Sequence, residues 1–171
     1  MTAPSRYQEL LAKVDAKSEE FQQIYAEQLH CRKGCSSCCL PGLSVFSVER
    51  QAIKSWLESK PALLEQLQHE SLADQGGSCA FLDKEGSCRI YPVRPIICRT
   101  QGLPLSFKRA ERTQRDVCPL NFEGIDLHTL AVDGVLNLDL LNTLLVLVDQ
   151  VEGGDAAGQR FGLNASAIIG D

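Results

Sequence analysis

The sequence has no long apolar run. Its most apolar stretch, Leu138 to Val148, is interrupted by Asp139 and Asn142. A membrane helix needs about 20 apolar residues, so this stretch reads as a core helix and no membrane role is expected. The N-terminus, MTAPSRYQELLAKV, lacks the charged start, apolar segment and small-residue cleavage site of a secretory signal. The expectation is a cytoplasmic chain in a reducing compartment, where disulfides are unusual. Histidine is scarce, with only His30, His69 and His128 present. HExxH, P-loop and GxGxxG patterns are absent, and nothing pairs a nucleophile with a base. There is no internal repeat and no dividing linker, so 171 residues are expected to form one domain, 1–171. A chain of about 150 residues already hides about 68–70% of its unfolded surface, so cross-links are not needed for folding.

Charge is unevenly placed. Residues 119–171 hold eight acids and one base, a net −7, so the rest of the chain carries +2 of the total −5. A nucleic-acid binder would show a basic domain or stripe, and this balance argues against one. The basic run KRAERTQR is diluted by Glu111 and Asp116. It reads as a solvated face, with a phosphate backbone or an acidic protein partner as the functional alternatives.

Apolar residues at helical spacing place a long helix over about 4–29, using Tyr7, Leu10, Leu11, Val14, Phe21, Ile24 and Tyr25. Ser47 reads as the N-cap of a second helix, about 48–59, with Ile53, Trp56 and Leu57 on its apolar face. Pro61 suits the first turn of a third, about 61–73. A loop follows at 75–78. CAFLDKEGSCRIY reads as two short strands, near 79–82 and 88–91, turning at Asp83–Gly86, with Phe81 and Tyr91 packed in the hairpin. PVRPIICRTQGLPLSF, with three prolines, is expected to be extended or looped. The last strong helix covers about 138–151, and the Gly- and Ala-rich tail 153–160 is expected to be mobile. The fold class is therefore α+β and mostly helical: a small domain with a short β-hairpin and loops around a cysteine site.

Against these absences stand eight cysteines: Cys31, Cys35, Cys38, Cys39, Cys79, Cys88, Cys98 and Cys118. In a reducing compartment they point to metal or redox chemistry. Four fall within the run CRKGCSSCC, where the chain can double back at Gly34 and bring thiolates onto one ion. Soft thiolates select zinc, Cu(I) or iron–sulfur clusters. Neighbouring Cα atoms are 3.80 Å apart, closer than a relaxed disulfide allows, so Cys38 and Cys39 are not expected to bond to each other. They also project in different directions, which implies that they serve different metals or that one bridges two. Eight thiolates suffice for two four-thiolate sites, for a shared multinuclear centre, or for one site plus spare thiols. The bland reading of a single cysteine such as Cys79 or Cys118 is a small buried hydrophobe. Arg32, Lys33, Arg89 and Arg99 follow cysteines and could offset thiolate charge. Arg94 and Arg99 could alternatively bind a carboxylate or phosphate, and His30 could replace a thiol as ligand. Cys31, Cys35 and Cys38 also satisfy CxxxCxxC, the spacing of radical S-adenosylmethionine enzymes. Ser37 stands where those enzymes have an aromatic, and the chain is short for their partial barrel.

CRKGCSSCC followed by CAFLDKEGSCRIYPVRPIICR resembles the YkgJ-like cysteine-cluster family, the CxxCxxCC or zinc- or iron-chelating domain. The residues that carry the resemblance are Cys31, Cys35, Cys38 and Cys39, then Cys79 with Phe81-Leu82, Gly86, Cys88 with Ile90-Tyr91, Arg94-Pro95 and Cys98-Arg99. Cys118 stands as an eighth family cysteine, which puts the family-like core at about 31–118. The resemblance implies that all eight cysteines chelate zinc or iron, an iron–sulfur cluster being one form of the latter. The family is also similar to the cysteine-rich part of the flagellin lysine methylase, which implies iron–sulfur chemistry or protein modification within the group. Two functions follow as expectations: a metal-binding or accessory module, with metal ions and a protein as partners, or a metal-dependent enzyme using the same centre.

Overall fold

Ser5 starts the first helix for a local reason. Its hydroxyl accepts from the Gln8 backbone N–H at 3.1 Å, while the Gln8 side chain accepts from the Ser5 N–H at 3.0 Å. This reciprocal capping box satisfies two otherwise orphaned donors. The computed structural model describes residues 3–32, 34–71 and 78–170. Among them it shows helices α1 (Arg6–Ile24), α2 (Ser47–Glu58), α3 (Pro61–Ser71), α4 (Ile96–Arg99), α5 (Leu138–Glu152) and α6 (Ala165–Ile169). The strands are β1 (Ser44–Phe46), β2 (Leu105–Arg109), β3 (Arg112–Asp116), β4 (Leu136–Asn137) and β5 (Arg160–Gly162). The fold class is α+β and mostly helical. No helix among the described residues is long and apolar enough to cross a membrane.

The chain gathers into two compact units. The first joins the residues up to Arg32 with Ile96–Leu147. In it α1 buries Tyr7, Leu10, Val14 and Phe21, and α4 packs against α1. α1 stops at Ile24, five residues short of the expected end. Tyr25 leaves the helix to donate its hydroxyl to the Gly134 carbonyl at 3.0 Å and to set its ring edge-on to Phe122 at 5.0 Å. β2 and β3 form an antiparallel hairpin with Arg109 opposite Arg112, and β4 pairs parallel to β2. Among the described residues this is the hairpin, and it lies in the basic run, whose residues 108–113 are exposed as expected of a solvated face. Its two-residue turn, Ala110-Glu111, has both residues at positive φ (47° and 62°), the geometry of a type I′ turn without its usual glycine. The proline segment expected to be extended or looped instead holds the one-turn helix α4 and runs into β2.

The second unit joins residues 34–95 with those from Val148 onward. Here α2, α3 and α6 pack on one another and bury Ile53, Leu57, Leu67 and Ile168. β1 pairs antiparallel with β5. Ser47 is the first residue of α2 rather than its cap: its hydroxyl donates to the Gly153 carbonyl at 2.8 Å, and Glu49 instead accepts from the Phe46 N–H at 3.0 Å. The tail expected to be mobile is tied down. Asp149 is fully buried and accepts from the backbone N–H groups of Val48 (2.8 Å) and Gly158 (2.7 Å). The expected loop at 75–78 lies outside the described residues except for Ser78.

Candidate metal centre

Within the second unit, the run from Gly34 to Cys39 forms a turn docked on another turn. Gly34 and Gly86 both sit at positive φ (87° and 76°). A Cβ on Gly86 would lie 3.3 Å from the Ser36 hydroxyl and 3.4 Å from the Gly34 carbonyl oxygen, so the two turns meet backbone to backbone and a side chain there would force them apart. The Cys39 N–H donates to the Ser36 carbonyl at 2.9 Å, and the Cys79 N–H to the Cys39 carbonyl at 3.0 Å. The expected strands at 79–82 and 88–91 shrink to one antiparallel bridge, Leu82 with Cys88. The turn between them forms as expected, with Asp83 accepting from the Glu85 and Ser87 N–H groups at 3.0 and 2.7 Å. Phe81 and Ile90 are buried. Tyr91 is not packed in a hairpin: it is 60% exposed and carries the Arg94 guanidinium 3.7 Å above its ring.

This framework collects Cys38, Cys39, Cys79 and Cys88. Burial pushes the Cys39 thiol from the ordinary 9.0 up to about 12, and Cys38, Cys79 and Cys88 add to the rise because each nearby sulfur opposes a second negative charge. Burial also raises Cys79 and Cys88. Two matched features oppose it. The Phe81 backbone N–H donates to the Cys79 sulfur and the Ile90 N–H to the Cys88 sulfur, each from two residues further on, and both favour thiolate. Arg89 favours thiolate at both sites and Arg94 at Cys88, as the expectation of charge compensation requires of Arg89. Arg89 is itself held by Glu70 at 2.5 Å and by the Ala80 carbonyl at 2.9 Å. Cys35 belongs to the same unit.

The first unit holds the other three, Cys31, Cys98 and Cys118. Cys31 is exposed, and its sulfur receives the Asn121 side-chain N–H at 3.3 Å. Asn121 is 2% exposed, and its backbone N–H donates to the Cys118 carbonyl at 2.8 Å. Cys98 rides on α4, which Arg99 fastens to α1 through both oxygens of Asp15 at 2.6 Å. Arg99 is therefore engaged by a carboxylate of its own chain. His30 offers its backbone N–H to Asn121 Oδ1 at 2.8 Å. His69 lies exposed on α3, 3.9 Å from Glu65, and the His128 backbone N–H donates to Asp126. Lys33 lies outside the described residues. Asn121 and Gly102, which approach Cys31, carry no sequence signal: neither belongs to a periodic pattern or a cysteine spacing.

All eight cysteines are free thiols. Among the described residues no three His, Cys, Asp or Glu side chains stand as they would have to around one ion. The donor chemistry nonetheless suits zinc and iron. Both take soft thiolate ligands, and the Cys39 thiol, whose ionisation Cys38, Cys79 and Cys88 oppose, lies in a set whose charge a cation relieves.

The comparisons agree with this chemistry. Residues 30–119 match the model of the CxxCxxCC family, described as a "putative zinc- or iron-chelating domain". That is more than half of the chain, and the protein belongs to this family. No curated protein and no solved structure matches it.

Proposed function

We propose that the chain is a chelating module that takes zinc or iron on Cys38, Cys39, Cys79 and Cys88, with Cys31, Cys98 and Cys118 as a second donor set and Cys35 beside the first. The observation that carries this reading is the convergence of Cys38, Cys79 and Cys88 on the Cys39 thiol, which the Cys39–Cys79 backbone bond and the Gly34–Gly86 contact hold in one neighbourhood. Each thiol that took up the ion would give up its proton in doing so. Phe81 N–H, Ile90 N–H, Arg89 and Arg94 stabilise the thiolates that result. When bound, zinc supplies a closed structural tie, and iron supplies redox chemistry. The groups surrounding the thiols hold and neutralise charge, which supports a binding or accessory role in a reducing, cytoplasmic setting.

The test is anaerobic purification followed by metal analysis and an absorption spectrum. Zinc in a colourless protein identifies a thiolate zinc site, whereas brown protein with acid-labile sulfide identifies an iron–sulfur cluster. A chain with Cys38, Cys39, Cys79 and Cys88 replaced by serine should lose that metal. Full retention of metal would overturn the assignment.

A further inference from the structure

Asn121 lies beyond the family match and is no metal donor, yet it is one of the few buried polar side chains of the first unit. Its amide is spent on three bonds. Oδ1 accepts from the His30 N–H at 2.8 Å, and Nδ2 donates to the Gly102 carbonyl at 2.6 Å and to the Cys31 sulfur at 3.3 Å. The two backbone bonds fix the amide's orientation, since the oxygen must face a donor and the nitrogen an acceptor. The nitrogen is thereby aimed at the sulfur. Gly102 independently marks the same spot: it sits at φ +87°, and a Cβ there would come within 2.7 Å of Cys31 Sγ and 3.3 Å of Asn121 Nδ2. Only glycine lets the chain approach the sulfur this closely.

We infer that Asn121 is a positioning residue for metal binding: its Nδ2–H fixes the Cys31 sulfur and stabilises it as a thiolate donor. This rests on the reading of Cys31 as a metal ligand. An exposed cysteine in the irregular segment beyond α1 would otherwise lose rotamer freedom on binding. A buried amide that already holds the sulfur removes part of that loss and donates to the charge that develops. Groups of this outer kind change metal affinity by about 10–100-fold when removed.

The test is a double-mutant cycle on the reduced full-length chain, with zinc affinity read by chelator competition and fold by circular dichroism. Asn121→Ala should weaken zinc binding about 10–100-fold. In a Cys31→Ala background the same substitution should change affinity by less than about twofold, since the partner it acts through is gone. Asn121→Asp keeps the acceptor for His30 but loses the donor, and should behave like Asn121→Ala if the latter folds poorly. In the wild-type chain, the Asn121 side-chain amide resonances should shift on zinc addition. An Asn121 effect that persists undiminished without Cys31, or an amide that does not move while zinc binds normally, overturns this inference alone. A wild-type chain that takes up no zinc or iron overturns the chelation reading with it.

Discussion

The Cys79 backbone N–H donates to the Cys39 carbonyl at 3.0 Å, which ties the dense cysteine run to the second pair of cysteines through main chain rather than through sulfur. The two thiols are therefore neighbours before any ion arrives. Replacing either by serine should leave the bond and the fold in place and remove one soft donor. We expect zinc affinity to fall at least tenfold for Cys39→Ser and Cys79→Ser, measured by chelator competition. Equal affinity in both variants would place the metal elsewhere.

Acid should release the metal. Burial raises the thiols of Cys39, Cys79 and Cys88, so at neutral pH the metal-free chain holds them protonated and an incoming cation must displace protons. Affinity should rise with pH between 6 and 8, by about tenfold per pH unit for each proton displaced. In the metal-free chain the sign is the reverse. Raised thiol pKa values favour the fold in full below the ordinary 9.0 and cease to do so as pH climbs towards about 12. Denaturant melts of metal-free protein should thus lose stability as pH rises from 9 towards 12, and a flat profile would contradict the burial of these sulfurs.

Metal should stabilise the second unit. A ligand bound only by the folded state adds about 2.7 kcal/mol when present at 100 times its Kd. Thermal melts with and without a chelator should differ in Tm, and the difference should shrink when Cys38, Cys39, Cys79 and Cys88 are serine.

Asp149→Ala should be among the most damaging substitutions outside the cysteines. It would leave the Val48 and Gly158 N–H groups without their carboxylate acceptor, at about 1–3 kcal/mol for the buried Val48 donor and less for Gly158, which lies within reach of water. Asn keeps one oxygen, so Asp149→Asn should cost roughly half as much. Chemical denaturation of the two variants checks the ratio.

The hairpin turn should be improvable. Ala110 and Glu111 occupy the left-handed region, which costs an L-residue about 1–2 kcal/mol. Glu111→Gly removes that strain and gives back part of the gain as chain entropy, for a net stabilisation of about 0.5–1 kcal/mol. A lower denaturation midpoint would mean that Glu111 makes compensating contacts.

The same hairpin shows where the sequence ceased to be readable. Arg-Ala-Glu-Arg has none of the Asn-Gly or Asp-Gly chemistry that announces a type I′ turn, and its strands are polar, so the pairing of β2 with β3 left no local trace. The tail resembled a flexible segment because its order comes from Asp149 and Ser47 bonding backbone far along the chain. By contrast, α2, α3 and α5 were legible within a residue or two at most described ends, because apolar periodicity and Pro61 act locally. Tyr25 shows the limit even there: its apolar face continued the pattern of α1, but its hydroxyl found Gly134 and the helix ended.

By itself the sequence determined the eight thiols that are candidate donors, because thiol chemistry and short cysteine spacings are properties of the chain within a few bonds. It also determined the α+β class and the turn at Asp83–Gly86. Tertiary structure alone decided which thiols crowd together, that Arg89 and Arg94 serve the thiolates while Arg99 binds Asp15, and that Asn121 reaches Cys31. Those outcomes depend on desolvation and on contacts between residues distant in sequence, and neither is written in any local pattern.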